Sequence, residues 1–99
     1  MQRFDDPTQA SYVAVGELFA ISLAGNPTTG YTWQADADAR YLELVDQSFE
    51  PGGAGAGAGG HEVFRFCAVK AGKAEIAFEY RRPWGGEARD TKRFQVVIA

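Results

Sequence analysis

Ala74-Glu75-Ile76-Ala77-Phe78-Glu79-Tyr80-Arg81 places an apolar side chain at every second position. Successive side chains of an extended strand point to opposite faces. Ala74, Ile76, Phe78 and Tyr80 therefore share one face, and Glu75, Ala77, Glu79 and Arg81 the other. The same period of two recurs along the chain. Phe94, Val96 and Ile98 alternate with Arg93, Gln95 and Val97. Phe64, Phe66 and Ala68 alternate with Val63, Arg65, Cys67 and Val69, and Phe19, Ile21 and Leu23 oppose Ala20 and Ser22. Weaker runs complete a set at 12–15, 17–23, 31–34, 41–49, 62–69, 74–80 and 89–98. Seven to eight short antiparallel strands separated by turn signals predict an all-β sandwich.

The connections carry their own signals. Gly16 links the first two runs. Lys70-Ala71-Gly72-Lys73 has hairpin length, with Gly72 as its permissive residue. The window 34–41 is rich in alanine and aspartate without a sustained apolar period, and reads as a loop with one turn of helix. Edge strands need protection against stray pairing. The first and last strands are expected to supply it with charge, through Arg89, Asp90, Lys92 and Arg93 on the last.

Ninety-nine residues suit one domain, 1–99, with 1–10 a poorly ordered N-terminal segment. A formal net charge of -3 without a basic stripe argues against nucleic acid as a partner. No apolar run approaches the roughly 20 residues of a membrane span. The N-terminus has no signal-like apolar segment, so the chain reads as cytoplasmic, or as periplasmic or secreted if a leader has been removed. Cys67 is the single cysteine, so packing rather than an internal disulfide must hold the fold.

Catalysis finds little support. His61 and Cys67 are the candidates for an imidazole–thiol pair, but six residues of strand separate them by roughly 20 Å, far beyond hydrogen-bond reach. One His and one Cys cannot build the usual zinc sets, so neither a metal nor another cofactor is expected. The paired carboxylates, such as Asp36 with Asp38 and Glu87 with Asp90, read as solvated surface.

Three connections are less ordinary. In Asn26-Pro27-Thr28-Thr29-Gly30-Tyr31, proline fixes φ and pushes Asn26 toward extended geometry, while Gly30 tolerates φ > 0. The result is a stiff turn with two hydroxyls at its tip. The run from Pro51 to Gly60 is almost all glycine and alanine, and reads from composition either as a flexible connection or as a binding segment. It is not a phosphate loop, because no Lys-Ser/Thr pair and no helix follow. In Arg82-Pro83-Trp84-Gly85-Gly86, Pro83 stops the ladder and the glycines let the chain reverse. Trp84 then either folds over the end of the sandwich or protrudes as an aromatic anchor. Consecutive strands run in alternate directions, so these connections all fall at one end.

Together the three loops resemble the chagasin family of protein inhibitors of papain-like cysteine proteases. Residues 26–31 match its Asn-Pro-Thr-Thr-Gly-aromatic loop. Gly57-Ala58-Gly59-Gly60 fits its Gly-x-Gly-Gly loop, and Arg82-Pro83-Trp84 its Arg-Pro-aromatic loop. The resemblance runs over 18–98 and implies an immunoglobulin-like sandwich. It further implies a non-enzymatic, reversible, tight-binding monomer that fills the cleft of papain or a cathepsin L-like enzyme without covalent chemistry. Asn26, Pro27, Thr28, Thr29, Gly30 and Tyr31 would form the central loop, with the threonines over the catalytic cysteine and histidine. Gly57, Ala58, Gly59 and Gly60 would lie along the non-primed side, and Arg82, Pro83 and Trp84 on the primed side. The glycine-alanine run is longer than the motif needs and is expected to be disordered until bound. The alternative is an adhesion or assembly module of the same fold with another partner.

Overall fold

The computed structural model describes residues 1–52 and 59–99. Their strands are β1 Gln2–Phe4, β2 Ser11–Val13, β3 Leu18–Gly25, β4 Thr32–Ala37, β5 Leu42–Pro51, β6 Gly60–Ala68, β7 Gly72–Arg81 and β8 Asp90–Ile98. They form two four-stranded sheets, ordered β1-β3-β6-β5 and β2-β8-β7-β4.

The apolar halves of the alternating strands meet between the sheets. Phe19, Phe64, Phe66, Phe78 and Phe94 are completely buried. Phe64 of one sheet meets Phe78 of the other edge-on at 5.1 Å, and Phe78 meets Phe94 at 5.5 Å. Each such ring contributes about 1.5–3 kcal/mol of burial free energy, which is why a chain without a disulfide can close this core. The opposite face of β3 is buried too: Ala20 and Ser22 are 4% exposed. The Arg3 Nη2 donates to Ser22 Oγ at 3.0 Å, and Arg3 also pairs with Glu50 at 2.8 Å.

Several expectations are corrected. The sheets are mixed rather than wholly antiparallel, because β1 runs parallel to β3 and β2 parallel to β8. A tight hairpin forces antiparallel pairing; neither β1 nor β2 is joined to its neighbour by one. β1 itself had no sequence signature, since three residues are too few to show a period. β8 is interior, between β2 and β7, so its charges do not guard an edge; the edges are β1, β5, β2 and β4. The stretch assigned to a loop from 34 onward continues as strand to Ala37. Pairing with β7, Ala35 opposite Phe78 and Ala37 opposite Ile76, overrides the local preference of alanine.

The Lys70–Lys73 turn is not a hairpin, because β6 and β7 belong to different sheets. The chain crosses over against Tyr41. The Val69 N–H donates to the Tyr41 carbonyl at 2.8 Å. Gly72, at φ 142°, leaves no room for a side chain: a Cβ there would stand 2.7 Å from Tyr41 Cε1.

β3, β5 and β7 end, and β4, β6 and β8 begin, at one end of the sandwich. Gly25 and Pro51 both stand opposite Gly60, Thr32 opposite Arg81, and Asp90 opposite Tyr80.

Candidate functional site

That end carries the three unusual connections, and polar side chains lash the two sheets together beneath them. Glu62 of β6 accepts from the Thr32 hydroxyl at 2.8 Å and from the Trp33 N–H at 3.0 Å. Trp33 is buried, and its indole N–H donates to the Ala24 carbonyl at 2.9 Å. Both contacts join β4 to the opposite sheet, so the loops rise from a common base.

The central loop folds as one turn of 3-10 helix, Pro27–Thr29. Asn26 is its N-cap, extended at φ -137° and ψ 102°. Gly30 closes it at φ 80°, and the Gly30 N–H donates to the Pro27 carbonyl at 3.1 Å. A short polar side chain at an N-cap satisfies donors that the helix leaves unpaired. Here Asn26 Oδ1 accepts from the Thr28 N–H at 3.1 Å and from the Thr28 hydroxyl at 2.7 Å. The Thr29 hydroxyl donates to the Asn26 carbonyl at 2.7 Å. The two hydroxyls thus tighten the loop from within, while Thr28 and Thr29 as residues stay exposed.

A side chain outside the three loop motifs anchors this turn. The Asn26 N–H donates to the hydroxyl of Tyr80 at 3.1 Å. Tyr80 also packs at 4.8 Å on Trp33 and stacks at 5.5 Å on Tyr31. Its signal was available: a tyrosine ending the core face of a strand must find a partner for its hydroxyl at the rim. Glu62 gave no such signal, because its role depends on the opposite sheet.

In the third loop the Gly85 N–H donates to the Arg82 carbonyl at 3.1 Å, and Gly85 and Gly86 have φ of 115° and 98°. Trp84 protrudes, 77% exposed. Its ring leans toward the central loop, with Cη2 3.6 Å from where a Cβ on Gly30 would stand. Arg82 is exposed and lies over the Tyr31 ring at 4.9 Å.

For the glycine-alanine connection, the described residues give its stem. The Gly52 N–H donates to the Gly59 carbonyl at 2.9 Å. Gly59 lies against the root of the central loop, where a Cβ would stand 3.2 Å from the Gly25 carbonyl oxygen. Gly60 is packed against Phe49, whose Cζ would be 2.7 Å from a Cβ. Gly57 and Ala58, and the expectation of disorder before binding, lie outside the described residues.

The described residues of the three loops line no pocket. Among the described residues, concavities of about 510 and 540 Å³ lie along β4, and no residue of the three loops lines either. His61 is exposed and Cys67 half-buried on β6, and the Cys67 thiol donates to the Ala68 carbonyl at 3.8 Å.

The model of the family described as chagasin family peptidase inhibitor I42 matches residues 12–98. Chagasin of Trypanosoma cruzi is 36% identical over 92 residues, covering 87% of this chain and 84% of its own length. The fold is similar to the crystal structure of the cysteine protease inhibitor EhICP2 from Entamoeba histolytica. The TM-score is 0.82 at 22% identity, over 99% of this chain and 95% of that one. It is also similar to PbICP-C, solved in complex with falcipain-2, with TM-score 0.67 and 19% identity over 99% and 88% of the two chains.

Proposed function

The chain belongs to the chagasin family of peptidase inhibitors, and on that premise we propose that it blocks papain-like cysteine proteases by seating its three loops across the active-site cleft. Inhibition is reversible and non-covalent, and the chain acts as one inhibitor domain. The observation that carries this reading is the rigid central turn flanked at one end by an exposed tryptophan and a glycine stem.

Each part has a physical task. The turn 26–31 enters deepest, with Thr28 and Thr29 facing the catalytic cysteine and histidine. Its internal hydrogen bonds and Pro27 mean that little conformational entropy is lost on binding. A hydrogen-bonded helical turn also resists the extended geometry that a scissile peptide must adopt, so the protease holds the loop without cutting it. Gly57 to Gly60 bring bare backbone to one side of the cleft, where main-chain hydrogen bonds imitate a bound strand. Arg82, Pro83 and Trp84 hold the other side, and Trp84 packs on an aromatic of the enzyme.

Titration of the purified chain against papain and a cathepsin L-like enzyme, read with a fluorogenic peptide, tests the proposal. Competitive inhibition that reverses on dilution, with the inhibitor recovered uncut by mass spectrometry, is expected. No inhibition of several such enzymes at micromolar concentration would overturn it.

A further inference from the structure

Arg89 is outside the three motifs, yet the fold brings it to them. Its N–H donates to the Tyr80 carbonyl at 2.7 Å, and its guanidinium lies 5.2 Å from the centre of the Tyr31 ring. Arg82 lies 4.9 Å from the same centre. One tyrosine, held by its stack on Tyr80, therefore gathers two exposed cations.

Neither cation has a carboxylate partner among the described residues. The ion pairs there are Arg3–Glu50, Arg40–Asp38, Arg65–Asp46 and Arg93–Glu75, all elsewhere. The nearest carboxylate in sequence, Asp90, accepts from the Thr91 N–H at 2.8 Å. The ring face attracts each guanidinium, but the two repel one another. In a chain of net charge -3, a paired positive site without a counterion is a local exception. Both guanidinia lie within 5.2 Å of one ring centre, so an anion reached by both would relieve the repulsion and take charge-assisted hydrogen bonds from each.

Resting on the proposed inhibitory role, we infer that Arg82 and Arg89 form one two-guanidinium seat for a carboxylate on the rim of the target protease's cleft. Arg89 is then a specificity-determining residue, favouring proteases with an acidic rim on the Trp84 side. Complementary charge of this kind acts chiefly on the association rate and is screened by salt.

Stopped-flow association with papain and a cathepsin L-like enzyme, from 50 to 500 mM salt, tests the inference on the full chain. Against the enzyme with the more acidic rim, Arg89→Gln is expected to slow association about 3- to 10-fold at low salt and to flatten its salt dependence. Arg89→Lys, which keeps the charge, should retain most of that dependence. Arg82→Gln combined with Arg89→Gln should cost less than the product of the single effects, because both serve one anion. Normal inhibition with an unchanged rate and salt slope in Arg89→Gln overturns the seat alone. Equal loss in Arg89→Gln and Arg89→Lys also overturns it, since charge would then be irrelevant. Absence of inhibition by the unmutated chain overturns the inhibitory role and the seat together.

Discussion

Trp84→Ala separates binding from folding. The side chain is 77% exposed, so a protease that covers it removes on the order of 150 Å² of largely apolar surface from water. At about 25 cal/mol per Å² that burial is worth roughly 4 kcal/mol. Alanine would keep a small share, which leaves a loss of about 3 kcal/mol, within the range of interface hot spots. At about 1.4 kcal/mol per factor of ten, the inhibition constant should rise roughly 150-fold. Folding should be almost untouched, within about 0.5 kcal/mol, because so exposed a side chain stabilises little. Inhibition constants from progress curves with papain, paired with thermal melting of both proteins, give the two numbers. A rise below threefold would refute the anchor. A large fall in melting temperature would instead show that Trp84 closes the end of the sandwich, the other role its position allowed.

Tyr80→Phe keeps the ring against Tyr31 and Trp33 but removes the hydroxyl that accepts from the half-buried Asn26 N–H. A loss of about 1–2 kcal/mol is expected, seen as a drop of roughly 4–15 °C in melting temperature for a domain of this size, together with weaker inhibition as the central turn loosens. Unchanged melting and inhibition would show that the hydroxyl does not hold the turn. Acid sensitivity follows from four carboxylates held below their ordinary range. Glu17 is lowered by the Gln2 side chain and the Ala14 N–H, Glu75 by Gln95 and then Arg93, Asp38 by Arg40 and Asp6 by Thr8. Because the folded values lie below the ordinary 4.5 and 3.8, the stability these groups lend is complete above those values. It is lost as pH falls through the lowered ones. Their contribution to the melting temperature should thus be flat from pH 7 to 5 and fall below about 4; a pH series of melts checks this, and a steep drop between 7 and 5 would place the control in other groups.

What could be read in advance was what is local. The faces of 74–81 and 64–68 follow from a period of two, and Phe64, Phe66, Ile76 and Phe78 are all buried as that period requires. The shared end of the three connections follows from counting reversals. The turn at Asn26 and Gly30 follows from the steric limits of proline and the freedom of glycine. What escaped depends on partners distant in sequence. The switch of sheets at Gly72 is set by the ring of Tyr41, the parallel lie of β1 and β2 by which sheet margins remain open, and the clamp at Glu62 by the facing sheet. In sequence Arg89 reads as cover for an edge that β8 does not have; its place over Tyr31 depends on the fold.

The parallel pairing of the two short leading strands has a practical outcome. Gln2 stands opposite Phe19, at the start of β3, and Ile98 opposite Val13, with the Ala99 N–H donating to the Val13 carbonyl at 3.0 Å. Residues 2 and 99 are therefore both at the pole remote from Thr28 and Trp84. A tether, label or fused module attached at either point hangs behind the molecule and leaves the proposed binding loops unshadowed. An immobilised form of this chain should capture its protease from either attachment point with similar capacity.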